Sequence, residues 1–206
     1  MLQVRFHGRG GQGVVTAAEL LASAAFREDR HAQAFPSFGS ERMGAPVVSF
    51  CRISDRPIRT REPVTDPDAL VIQDPTLLHQ AHDRPPGWLA DLRPDGYVLV
   101  NSTRDFGELG LDEFVRGFHR DRLLVVPASA LAMTHLGRPL PGAALLGGFA
   151  ALTWAVSLDS VVAAIDERFT GTVAEGNAAA AAAAFDFVRD EREALTGRAQ
   201  SRKAQS

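Results

Sequence analysis

The chain has 206 residues, 45% of them hydrophobic and 23% charged, with a formal net charge of −3. That length supports one substantial domain around a single core, and the slight negative charge argues against a nucleic-acid-binding surface. No apolar run approaches the ~20 residues that span a membrane, and no basic segment followed by an apolar one opens the chain, so neither a membrane anchor nor a signal peptide is expected.

Residues 2–7 read as a strand with Val4 and Phe6 on one face. The turn Gly8, Arg9, Gly10, Gly11, Gln12, Gly13 follows, and from Val14 the apolar residues Val14, Ala17, Ala18, Leu21, Ala22 and Ala25 recur at helical spacing. Strand, glycine turn and helix bring backbone N–H groups and a helix N-terminus to a place where an anion can sit. The glycines match G-x-G-x-x-G, but the dinucleotide pattern also wants an acid about 20 residues on, after the second strand. The second strand is read at 31–35 and ends in Pro36 without a carboxylate, and Gly13 precedes two valines rather than the Lys-Ser/Thr of an ATP-type loop. Three glycines also suit a plain tight turn, and the turn alone does not decide between the two.

Residues 36–46 form a loop with two prolines and two glycines. Phe38, Glu41, Arg42 and Met43 give it the aromatic, charged and thioether mixture of an interface. Residues 47–53 read as a strand, 54–57 as a turn and 58–61 as a returning short strand, a hairpin that would make the sheet mixed. Cys51, the one cysteine, lies inside this apolar run and reads as a packed thiol. A lone cysteine excludes an intramolecular disulfide and an iron–sulfur cluster held by this chain alone, and it fits a cytoplasmic setting.

Residues 69–73 read as a buried strand, with Asp74 and Pro75 starting a helix as cap and first-turn proline. His79 and His82 share that helix without a matching third ligand, so they read as solvent-facing rather than metal-binding. Strands at 97–100 and 123–126 follow, then a helix at 130–136. The remainder reads as helical. Residues 142–156 are apolar and small, Asp159 and Ser160 are placed to cap a helix ending near Phe169, and the alanine run after Gly176 and Asn177 forms another. Residues from Thr196 on are polar and expected to fray. Alternating strands and helices give an α/β class: a single three-layer Rossmann-like domain, with a mixed, mostly parallel sheet and a helical C-terminal part, over 1–190, followed by a polar tail at 191–206.

Several blocks then carry a resemblance: FHGRGGQGVVTAAELL at 6–21, QAFPSFG at 33–39, ERMGAPV at 41–47, RISD at 52–55, DPTLL at 74–78, LLG at 145–147 and SLDS at 157–160. Together they closely resemble the gamma subunit of pyruvate:ferredoxin oxidoreductases and related 2-oxoacid:acceptor oxidoreductases. The resemblance implies a subunit rather than a complete enzyme. The family converts a 2-oxoacid, coenzyme A and oxidised ferredoxin to acyl-CoA, CO2 and reduced ferredoxin. It holds thiamine diphosphate between alpha and beta subunits and iron–sulfur clusters in beta and delta. The gamma domain is implied to pack on that core and to help bind coenzyme A, with Gly8, Arg9, Gly10, Gly11, Gln12 and Gly13 as contacts. Arg9, the turn's one cation, is expected to meet a phosphate or a neighbouring subunit's carboxylate. Phe38, Glu41, Arg42 and Met43 are expected at a partner interface. Two departures stand out: Ser40-Glu41-Arg42-Met43 where relatives often carry Pro-Glu-Arg-Arg, and Pro141-Gly142 near the place of their Asn-Thr. The alternatives are an NAD(P)- or flavin-binding oxidoreductase, against which the missing acid counts, and a purely structural interaction subunit.

Overall fold

A computed structural model of the chain describes residues 1–37, 43–79 and 86–203, with side chains to 196. Six strands, β1 (Leu2–Arg9), β2 (His31–Pro36), β3 (Pro46–Ser54), β4 (Ala69–Ile72), β5 (Tyr97–Asn101) and β6 (Leu123–Val126), form one sheet in the order β2-β3-β1-β4-β5-β6. β1, β4, β5 and β6 run parallel, while β3 pairs antiparallel with both β1 and β2. The sheet is thus mixed and mostly parallel, as the α/β reading expected. The antiparallel part arises differently, however. Residues 58–61 make no strand, and the hairpin is β2 with β3.

Helices are α1 (Val14–Phe26), α2 (Asp112–Val115), α3 (Ala128–Leu136), α4 (Gly142–Thr153), α5 (Leu158–Arg168) and α6 (Gly171–Lys203). Strand alternation sends Val4, Phe6, Ala69, Val71, Leu99, Leu124 and Val126 to one face, where α1, α4 and α6 cover them and α5 packs on those helices. The opposite face carries Leu70, Ile72, Val98, Val100 and Leu123 under Leu78, Leu89, Leu92, Leu109 and Leu111. Those covering residues come from short 3-10 turns and loops rather than long helices.

α4 and α6 lie unusually close. A Cβ on Gly147 would stand 1.9 Å from the carbonyl oxygen of Ala181. Ala180, Ala181 and Ala184 are buried in this seam, so the alanine run is a close-packing stripe as well as a helix former. α6 begins at Gly171, ahead of Gly176 and Asn177, and stays helical to Lys203, past the expected fraying point. α5 is capped by Ser157, whose hydroxyl accepts from the Ser160 N–H, rather than by Asp159 and Ser160. The expected helix after Asp74 is a 3-10 turn, Pro75–His79, and the expected helix at 130–136 starts two residues earlier, at Ala128. Cys51 is fully buried and its thiol pKa is pushed up by burial, in agreement with a packed thiol.

Candidate functional site

The turn after β1 sits at the carboxyl edge of the parallel strands, where α1 leads toward β2 and β3 while β4 lies on the other side of β1. This is the crevice at which open α/β sheets receive ligands. Gly8 closes the strand against the helix: a Cβ there would be 2.6 Å from Val14 Cγ2. Gly13 takes φ 72° as the N-cap of α1, a left-handed conformation that suits a residue without a Cβ. Gly11 is exposed and lies against the thioether of Met43, and Gly10 forms a bridge with Met43.

The interior of the turn is already bonded. The N–H of Arg9 donates to Gln12 Oε1 at 2.8 Å, that of Gly10 to the Ala45 carbonyl at 2.9 Å, and that of Gln12 to the Arg9 carbonyl at 3.1 Å. The six turn residues therefore do not form an open ring of donors. Donors remain at α1 itself, which no side chain caps, since the first N–H groups of a helix have no intrahelical partner. Arg9 is also engaged within the chain. Its Nε stands 3.2 Å from Asp74 Oδ2, its Nη2 donates to Thr76 Oγ1 at 2.8 Å and its Nη1 to the Gly44 carbonyl at 3.1 Å. Of the interface residues, Met43 is 88% exposed. Phe38, Glu41 and Arg42 lie outside the described residues, as does His82.

Beside the turn opens a cavity of about 550 Å³. Its walls come from Gly11, Gln12, Gly13 and Thr16 at the start of α1, Gly142 and Ala143 at the start of α4, and Thr172, Val173 and Asn177 in the first turns of α6. Arg138, Arg168 and His135 stand on its lining, and among the described residues no carboxylate does. Neither α1 nor α4 has a side-chain cap. The N-termini of α1 and α4 and the residues Arg138 and Arg168 thus border one space, an arrangement that favours a multiply charged anion. No group of three His, Cys, Asp or Glu able to hold a metal occurs among the described residues.

Sequence reasoning located the glycine turn but missed Arg138, Arg168, Thr172 and Asn177, which lie more than a hundred residues further along. No local spacing links them to the turn. They come from the α3–α4 connection, the end of α5 and the start of α6, and the packing of α3, α4 and α5 on α6 brings them there. Asp74 was legible as a cap but not as the partner of Arg9 and Gln12.

Comparison with known proteins bears on this arrangement. The family model described as "Pyruvate ferredoxin/flavodoxin oxidoreductase" matches residues 3–187. The "Pyruvate/ketoisovalerate oxidoreductases common subunit gamma" of Thermococcus kodakarensis is 45% identical over 186 residues, covering 90% of this chain and 96% of that one. The "Pyruvate synthase subunit PorC" of Methanothermobacter marburgensis is 41% identical, covering 92% of this chain and 98% of that one. Among solved structures, the pyruvate oxidoreductase subunit PORC of Thermotoga maritima superposes with a TM-score of 0.73 at 34% identity, covering 90% of this chain and 95% of that chain.

Proposed function

The chain belongs to the pyruvate ferredoxin/flavodoxin oxidoreductase family as a gamma-type subunit, and we propose that it supplies the phosphate-binding wall of a coenzyme A site in that enzyme. The assembled enzyme would oxidatively decarboxylate a 2-oxoacid, pyruvate in the first instance, with coenzyme A to acyl-CoA, CO2 and reduced ferredoxin. Thiamine diphosphate and the iron–sulfur clusters would be held by alpha, beta and delta-type partners, and this subunit would pack on the thiamine-diphosphate core. The setting would be cytoplasmic; among the described residues, no helix is long and apolar enough to cross a membrane.

The observation that carries the reading is the carboxylate-free cavity walled by α1, α4 and α6 with Arg138 and Arg168 on its lining. Coenzyme A carries three phosphoryl groups, and such a wall suits them. The glycine turn remains part of the proposed site: Gly11, Gln12 and Gly13 line the cavity, with Gly8 and Gly10 shaping the turn behind them. Its charge, however, comes from Arg138 and Arg168, because Arg9 is paired with Asp74. That pairing favours a second reading, in which the turn serves only to hold the subunit together.

The test is co-expression with the partner subunits and a 2-oxoacid-dependent dye-reduction assay across coenzyme A concentrations. A hydrogen bond to a charged group contributes about 1.5–3 kcal/mol. Arg138→Ala combined with Arg168→Ala should therefore raise the KM for coenzyme A by about 100-fold. An unchanged KM in an intact complex would leave the structural reading.

A further inference from the structure

The glycine turn and the loop after β4 face each other across the crevice, and one carboxylate ties them together. Asp74 is 8% exposed. Its Oδ1 accepts from the Thr76 N–H at 2.9 Å and from the Thr76 hydroxyl at 2.5 Å. Its Oδ2 accepts from Gln12 Nε2 at 2.8 Å and meets Arg9 Nε at 3.2 Å. An ionised carboxylate only accepts, and here both of its oxygens are filled. With Nε2 of Gln12 on Asp74, the other end of that amide is aimed at the Arg9 N–H, which it receives at 2.8 Å. Arg9 passes the connection on to Gly44, beside the start of β3.

We propose that Asp74 is the positioning residue of the anion site: through Gln12 and Arg9 it fixes the glycine turn against the loop after β4, and so sets where Gly11, Gln12 and Gly13 stand in the cavity wall. The inference rests on the coenzyme A reading for its consequence in the enzyme, but not for the contacts themselves. Loops hold a ligand less precisely than helices or strands unless a second set of bonds supports them. Asp74 provides that set from across the crevice. Its bonds run to the turn and to Thr76 two residues on, so its loss loosens the site more than the fold. An asparagine in its place can still accept from Thr76. Its amide NH2, however, would confront the NH2 of Gln12 and the guanidinium of Arg9, donor against donor.

In the assembled oxidoreductase, Asp74→Asn should raise the KM for coenzyme A about ten-fold, the size of one lost charged hydrogen bond, with kcat at saturating coenzyme A little changed. Adding Gln12→Glu exchanges amide and carboxylate across the same contact and should restore slow amide exchange at residues 9–12, while the KM stays raised because the new carboxylate stands on the wall of the anion cavity that Gln12 lines. Fast exchange at residues 9–12 that this pair leaves uncorrected overturns the Asp74–Gln12 assignment. Amide hydrogen exchange on the full chain without ligand gives an independent readout: Asp74→Asn should speed exchange at residues 9–12. If exchange and KM both stay unchanged while Arg138→Ala with Arg168→Ala raises the KM, the inference is overturned and the coenzyme A reading stands. If exchange rises and no variant moves the KM, the coenzyme A reading fails and the positioning of the turn by Asp74 stands.

Discussion

The imidazole of His7 lies flat on the indole of Trp88, with ring centroids 3.8 Å apart and planes 14° from parallel. His7 is 4% exposed and its Nε2 has no hydrogen-bond partner among the described residues. Burial, and then the charge of Arg5, push its pKa down from 6.5 to about 3. Between those values the unfolded chain takes up a proton that the folded chain refuses, so stability rises with pH there. The contribution is complete above the unfolded value and is lost as pH falls toward the folded one. Stability should therefore drop by about 1.4 kcal/mol per pH unit below roughly pH 6 on account of this residue. His7→Phe keeps a ring for Trp88 and removes the proton site. Denaturant titrations from pH 7 to 4 should show a shallower acid loss in that variant, and parallel curves would refute the assignment.

Gly147 is where α4 meets the backbone of α6. A methyl group 1.9 Å from the Ala181 carbonyl oxygen cannot be accommodated by turning a side chain, so one helix must move. Gly147→Ala should cost about 3 kcal/mol, at the upper end for overpacking. In a chain of this size that lowers Tm by about 6–12 °C. A thermal melt within about 2 °C of the parent would show that the helices slide apart at little cost.

Arg9 makes bonds to Thr76 and Gly44 as well as its ion pair, but its side chain is 32% exposed. Without it, Asp74 keeps Gln12 and Thr76. Arg9→Ala should therefore raise the KM for coenzyme A by less than Asp74→Asn does. Part of its effect should fade with added salt, because exposed charges are screened. The reverse order, with Arg9 dominant, would make it a direct ligand contact.

The purified chain on its own should catalyse no 2-oxoacid oxidation. Its one cysteine cannot hold a cluster. Coenzyme A-dependent reduction of an acceptor by the chain freed of every other subunit would contradict this.

Much of the fold was open to reading from the residues because its signals are local. The period-two apolar pattern of β1, the helical period of α1 and the alternation of strands with helices each act over a few residues. Asp159 and Ser160 gave the wrong cap because Ser157, two residues before Asp159, offers an equally good hydroxyl. Residues 58–61 resemble a strand in composition, yet the neighbour of β3 is β2, and β1 occupies its other edge. At the candidate site only the half made by contiguous residues could be seen beforehand. Arg138, Arg168 and Asn177 join it from the α3–α4 connection, the end of α5 and the start of α6, through packing of α3, α4 and α5 on α6 that depends in part on glycines and alanines whose role appears only when the helices are set side by side. Asp74 carried a local signal, its cap of the 3-10 turn, and that signal masked its contacts across the crevice. On Asp74, burial alone would raise the pKa, but hydrogen bonds from Thr76 and Gln12 and the charge of Arg9 outweigh it and hold the carboxyl below its ordinary value.

The cavity draws its walls from both ends of the chain: Gly13 and Thr16 near the start, Thr172 and Asn177 near the end. In a polypeptide made from its first residue onward, the glycine turn is therefore present long before there is a pocket for it to serve. A nascent chain released after α4 would carry the turn, the sheet and two helix N-termini, yet lack the wall that α6 provides. On the proposed reading, binding of an anion would consequently require that synthesis has reached and docked α6.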